Sequence, residues 1–113
     1  MKKQLNVFLL VVMSLTSLNV FAAVWSPWVK VTQIYPHSTN NTDGTIYLKF
    51  DSMINPASCR SSQLMALRKD NTVSSEIYSL LMMAYTLDRE VRYYVKGCDD
   101  HGYPLLLHAQ INS

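Results

Sequence analysis

The sequence predicts a mainly β domain of five strands and one helix, with the helix between the third and fourth strands. Within 74–87 the apolar residues recur at three- and four-residue intervals, typical of a helix with one buried face: Ile77, Leu80, Leu81 and Ala84. Within 90–96 the period falls to two, typical of a half-buried strand: Val91, Tyr93 and Val95. The only two cysteines, Cys59 and Cys98, flank this helix and strand.

Alternation and turn-forming residues place the other four strands. The first is predicted over 28–35 and the second over 45–50, with a loop at 36–44 between them. In the second strand we expect Ile46, Leu48 and Phe50 to face inward, and Thr45, Tyr47 and Lys49 to face outward. The third, over 63–68, is favoured as a strand by its short length. In the last, over 104–111, we expect the inward residues to be Leu105, Leu107, Ala109 and Ile111, opposite Leu106, His108 and Gln110.

The helix has signals at both ends. Ser74 is a predicted N-cap, and Glu76 in the first turn suits the helix dipole. Val73 and Tyr78 occupy the hydrophobic-staple positions for that cap, and the helix is expected to end near Leu87.

The order of three strands, one helix and two strands is that of an OB-like five-stranded barrel, and barrel closure would also remove exposed strand edges. The alternative is an open antiparallel sheet with the helix packed on one face, an α+β arrangement.

Residues 1–22 are typical of a secretory signal peptide. Lys2 and Lys3 precede a short apolar run, and Ala22 or Ala23 is the expected cleavage point. The run is too short to span a bilayer, so we expect no membrane span after its removal. Residues 23–113 then form a single domain in the bacterial periplasm or outside the cell.

Charge and motifs exclude several functions. Lys2 and Lys3 leave with the leader, so the ten basic residues become eight against eight acidic ones, which argues against nucleic-acid binding. No nucleophile, phosphate-binding or zinc-protease motif is present, so we expect no enzyme, catalytic residue, metal or cofactor. The compact polar cluster Asp99-Asp100-His101 is interpreted as a turn rather than a metal or catalytic site.

Two cysteines in an oxidising compartment allow one pairing, Cys59 with Cys98. Such a bond would stabilise a small domain by roughly 4 kcal/mol. A redox or metal-binding pair is disfavoured because there is no Cys-x-x-Cys motif.

The run from Ile77 to Val95 resembles the B subunits of subtilase-cytotoxin and pertussis-like toxins. The resemblance is carried by an alanine and an aromatic in the helix, followed by a Val-Arg-aromatic strand: Ala84, Tyr85, Val91, Arg92 and Tyr93. It implies an OB-like barrel, a homo-oligomeric ring and glycan binding on an exposed face.

The aromatic residues, among them Trp25, Trp28, Tyr35, Tyr94 and Tyr103, are candidates for stacking on sugars. As ligand-binding residues we predict Trp28, Tyr47, Lys49, Arg68 and Tyr103. The predicted function is a secreted or periplasmic, non-enzymatic binding module, similar to a toxin B subunit, that binds a glycan or a partner protein through an exposed aromatic face. The alternative is a periplasmic structural or inhibitory protein that binds a protein partner without affinity for sugar.

Overall fold

A computed structural model describes residues 23–40 and 44–112 of the chain. They form six strands and one helix: β1 (Ala23–Trp25), β2 (Val31–His37), β3 (Thr45–Phe50), β4 (Met65–Arg68), α1 (Ser74–Leu87), β5 (Val91–Cys98) and β6 (Pro104–Ile111). The predicted leader, 1–22, and part of the first predicted loop, 41–43, lie outside the described residues.

The strands form one open sheet in the order β1-β5-β6-β4-β3-β2. Neighbours are antiparallel except β4 and β6, which run parallel and pair at Ala66 and Leu105. The prediction of a mainly β fold with one helix is therefore confirmed. The sheet is not purely antiparallel, because the chain passes through α1 and β5 before β6 returns beside β4 in the same direction.

The predicted first strand is wrong in its bounds. The structure has two strands here, β1 and β2, separated by residues 26–30. Pro27 has no N–H to donate to a neighbouring strand. At this break the buried Ser26 hydroxyl accepts a hydrogen bond from the Tyr93 N–H at 2.9 Å, where a backbone carbonyl would otherwise accept it. Val29 rejoins β5 at once through a bridge to Val91.

The helix prediction is confirmed in its bounds and its buried face. Ile77, Leu81 and Ala84 are buried against the sheet, and Leu80 is half-buried. The predicted N-cap is wrong: Val73 occupies that position without a side-chain hydrogen bond, while the Ser74 hydroxyl donates to the Lys69 carbonyl. The helix ends where Asp88 adopts a left-handed conformation and its N–H bonds to the Ala84 carbonyl.

The β3 prediction holds for the inward face and fails for the outward face. Ile46, Leu48 and Phe50 join the core. Thr45 and Tyr47, expected outside, are also buried. The reason is a second layer of side chains over this part of the sheet, in which the rings of Tyr35, His37 and Tyr103 cover Tyr47.

The predicted inward face of the last strand is wrong in its first half. Leu106, expected outside, is fully buried, whereas Leu105 and Leu107 are half-buried. Tyr94 pairs with His108 and Val95 with Leu106, so Leu107 is an extra residue in a β-bulge. A bulge reverses the phase of the alternation, which is why Ala109 and Ile111 face the core as predicted.

The disulfide between Cys59 and Cys98 is confirmed, with the two Cα atoms 5.7 Å apart. It joins the loop before β4 to the end of β5, and it is compatible with a periplasmic or extracellular location. Across residues 23–40 and 44–112, α1 is the single helix, and it is too short to cross a membrane.

Candidate functional site

A solvent-facing cluster of rings and polar groups lies over β1, β5, β6 and the segment after β1, with Arg92 and Tyr94 half-buried within it. We call it the tryptophan face, and its six members are Trp25, Trp28, Arg92, Tyr94, His108 and Gln110. The two indoles are 39% and 41% exposed, which makes them available to a ligand. Large aromatic side chains in contact with solvent are a common feature of binding surfaces.

The turn at Ser26-Pro27 brings both tryptophans to this face. The Ser26 N–H donates to the Tyr93 carbonyl at 2.7 Å, and Val29 exchanges two hydrogen bonds of 2.7 Å with Val91. These bonds fix the chain on either side of Pro27 against β5. The Trp25-x-x-Trp28 spacing therefore places two indoles over one strand, beside its outward residues.

The pairing of β5 with β6 supplies the other four members. Arg92 lies opposite Gln110 and Tyr94 lies opposite His108 in the register. Side chains that are directly opposite on one face of an antiparallel pair interact closely. The Tyr94 and His108 rings stack with centroids 5.3 Å apart, and the Trp25 ring lies 5.4 Å from Tyr94.

Arg92 is the centre of the face. Its guanidinium carbon lies 4.8 Å from the Trp25 ring centroid and 5.3 Å from that of Trp28, both within cation–π range. Its Nε donates to the Gln110 side-chain oxygen at 2.6 Å. The two Nη groups make no hydrogen bond to any of the described residues. The two indoles and Gln110 thus fix the orientation of the guanidinium, and its Nη N–H groups are available to an acceptor.

The face carries one permanent charge, that of Arg92, and none of its six members is acidic. A guanidinium whose terminal N–H groups are free binds planar anions such as carboxylates through two parallel hydrogen bonds. The indoles beside it offer apolar surface of the kind that packs against the C–H face of a sugar ring. The arrangement can therefore bind a ligand that combines an apolar face with an anionic group.

The structure divides the predicted ligand-binding residues between two places. Trp28 lies in the tryptophan face. Tyr47 and Tyr103 lie together elsewhere, with ring centroids 5.3 Å apart. No ring contact or hydrogen bond between described residues connects these two tyrosines to Trp28.

Of the four predicted residues outside the tryptophan face, Tyr47 and Arg68 already have polar partners. Burial raises the pKa of the Tyr47 phenol, and the Asn40 side chain donates to the phenol oxygen. Arg68 forms a two-point ion pair with Asp70, with an Nη2–Oδ2 distance of 2.8 Å. Lys49 is exposed on β3, two residues after Tyr47. The Tyr47 phenol and the Arg68 guanidinium therefore have little hydrogen-bonding capacity left for a ligand.

The Asp99-Asp100-His101 segment is a turn, in agreement with its interpretation from the sequence. The Asp99 carboxylate accepts the N–H groups of His101 and Tyr103 at 3.0 and 2.8 Å. Within the described ranges, no group of three or more His, Cys, Asp or Glu side chains is placed to hold a metal ion.

Arg92, His108 and Gln110 were not predicted from the sequence as members of a site. Their outward direction followed from the alternation of each strand, but their proximity depends on which strands are neighbours and in what register. A scan against protein-family models finds no match for this chain, and a search of curated proteins finds no similar sequence.

Proposed function

We propose that this chain is an exported, non-enzymatic binding module that holds an acidic glycan on the tryptophan face. The observation that carries the proposal is the position of the Arg92 guanidinium, within 5.3 Å of two exposed indoles and bonded to Gln110. The indoles would pack against a sugar ring, and the free Nη groups of Arg92 would bind its carboxylate or sulfate.

The OB-like barrel remains part of the proposal. Its support is that β1 and β2, at opposite ends of the strand order, are consecutive in the chain and only residues 26–30 apart. Between them Val29 bridges to Val91 of β5. If β1 and β2 are the two halves of one bent strand, the sheet has five strands. One half of that strand pairs with β5 and the other half pairs with β3, so the bent strand would join the two ends of the strand order into a barrel. The position of α1 between β4 and β5 agrees with the OB order.

Export and toxin-like organisation are proposed on separate grounds. The Lys2-Lys3 start and the apolar run after it support a signal peptide, and the disulfide is compatible with that route. The resemblance of 77–95 to toxin B subunits supports glycan binding in a homo-oligomer.

The first experiment is a glycan array with the oxidised, exported chain, carrying sialylated, sulfated and neutral glycans. We expect binding to acidic glycans, at least tenfold weaker for Trp28→Ala and for Arg92→Lys, which keeps the charge but loses the planar fork. The matched control is Lys49→Ala, an exposed cation outside the face, which should bind like the unchanged chain. Equal binding by all four proteins would place the glycan elsewhere.

A second candidate is the capture of a protein partner by the same face. Tryptophan and arginine are the residue types that most often dominate protein interfaces, and here they lie together in the open. Absence of binding to every glycan class by a correctly folded chain would favour this alternative.

A further inference from the structure

The outward row of β5 continues past the tryptophan face to Lys96. From Val91 to Val95 every second residue is buried in the core, so Arg92, Tyr94 and Lys96 follow one another on the outer side of the strand. Lys96 is exposed, and it forms no ion pair with a described residue. Arg92 likewise has no acidic partner among the described residues. The row therefore has a cation at each end that is available to an anionic ligand.

Aromatic rings occupy the space between the two cations. Arg92 and Lys96 are separated by about 13 Å along the strand, at roughly 3.3 Å per residue. Midway between them the register aligns Trp25, Tyr94 and His108 across β1, β5 and β6. These three rings contact one another, with centroid separations from 5.3 to 6.4 Å. A ligand that reaches from one cation to the other therefore crosses an aromatic surface.

Exposed acidic residues lie beyond both ends of this row. Glu90 directly precedes β5 and belongs to the same alternation as Arg92, and Asp100 lies in the turn that follows the strand. Neither carboxylate forms an ion pair with a described residue. Because like charges repel, an anionic chain is favoured between Arg92 and Lys96 and disfavoured on either side of them. The charges thus define one segment of limited length for such a chain.

We propose that the tryptophan face and Lys96 together bind an extended acidic polysaccharide, which lies along β5 with one anionic group at Arg92 and another at Lys96. This inference rests on the proposed function and adds the class of ligand: a chain in which acidic groups recur, rather than a glycan with one terminal acid. The spacing supports this choice, because a single carboxylate or sulfate cannot contact two cations about 13 Å apart. The sugar rings between the two anionic groups would pack on Trp25 and Tyr94.

The test compares a disaccharide and a hexasaccharide of chondroitin sulfate by isothermal titration calorimetry with the oxidised chain. The acidic groups of the disaccharide lie close together and can reach only one of the two cations, whereas the hexasaccharide can reach both. Lys96→Ala should weaken the binding of the hexasaccharide about threefold, as expected for one exposed ion pair, and leave the binding of the disaccharide unchanged. The matched control is Lys49→Ala, which removes an exposed lysine outside the face and should change neither Kd.

Three results would overturn the inference: no loss of hexasaccharide binding with Lys96→Ala, an equal loss for both oligosaccharides, or a loss that Lys49→Ala reproduces. Sialyllactose, which carries one carboxylate, separates this failure from a failure of the proposed function. If sialyllactose binds and Arg92→Lys weakens its binding, the proposed function stands although the extended ligand is wrong. Absence of binding to sialyllactose and to both oligosaccharides would overturn the two proposals together.

Discussion

Tyr93 connects the core to the loop after β3 through a single phenol. Its ring stacks on Phe50 with centroids 4.3 Å apart, and its hydroxyl donates to the Ser52 carbonyl at 3.0 Å while it accepts the Ile54 N–H at 3.3 Å. The side chain is fully buried, and burial raises the pKa of the phenol to about 12.

This pKa makes the stability of the fold depend on alkaline pH. Because the folded-state value lies above the ordinary value of about 10, the neutral phenol stabilises the fold fully below pH 10. That contribution is lost as the pH rises from about 10 to about 12. In urea titrations the unchanged chain should therefore lose more unfolding free energy over this range than Tyr93→Phe.

The same substitution removes two hydrogen bonds, so at neutral pH we expect Tyr93→Phe to be less stable by about 1 to 2 kcal/mol. Identical slopes of stability against pH for the two proteins between pH 10 and 12 would show that the phenol is not shielded from water as described.

Among the elements, β6 and the turn before it show where a sequence pattern stops being informative. Alternation alone placed Leu106 outside, and one extra residue at Leu107 reversed the phase. A bulge depends on the partner strand, so it leaves no clear signal in the bulged strand. The same holds for Tyr47, whose cover comes from Tyr35 on β2 and from Tyr103 beyond β5.

The local signals were more informative. Periodicity placed α1 at its observed bounds and gave the buried side of β5, because both depend on neighbouring residues only. The tryptophan face was recognisable only in part. Trp28 was predicted from its residue type, whereas Arg92 and Gln110 become a pair only through the β5–β6 register.

The turn before β6 contains a glycine whose replacement should be costly. Gly102 has φ +86°, and a Cβ atom there would lie 2.9 Å from the Arg60 Cβ. Gly97 has a similar φ of +72°, but a Cβ atom there would have no neighbour within 4 Å. Both alanine variants carry a backbone strain of about 1 to 2 kcal/mol, and Gly102→Ala adds the clash.

We therefore expect Gly102→Ala to lower the unfolding free energy, measured by urea titration, by about 1 kcal/mol more than Gly97→Ala does. Equal losses would mean that the Arg60 side chain moves aside without penalty.

For the whole molecule, the disulfide compensates for a small core. About ninety residues bury one cluster between the sheet and α1, and domains of this size are only marginally stable. Cys59 and Cys98 close a loop of 39 residues that contains β4, α1 and most of β5.

Replacing both cysteines by serine should lower the unfolding free energy by about 4 kcal/mol, the chain-entropy value for a loop of this length. The measurement is urea denaturation of the double variant beside the oxidised chain. The reduced chain is the control, because it lacks the bond without carrying the two serine hydroxyls. A loss below about 1 kcal/mol would mean that the core holds the fold without the bond.

Binding of an acidic glycan to the tryptophan face can be tested directly by spectroscopy. Trp25 and Trp28 are the only two tryptophans in the chain, so the two indole N–H signals in a nitrogen-15 correlation spectrum report on this face alone. On titration with a sialylated or sulfated oligosaccharide, both signals should shift and saturate with one Kd, and Arg92→Lys should weaken that Kd at least tenfold. Indole signals that stay in place in a folded, oxidised chain, with every acidic and neutral glycan tried, would show that the tryptophan face does not bind glycans.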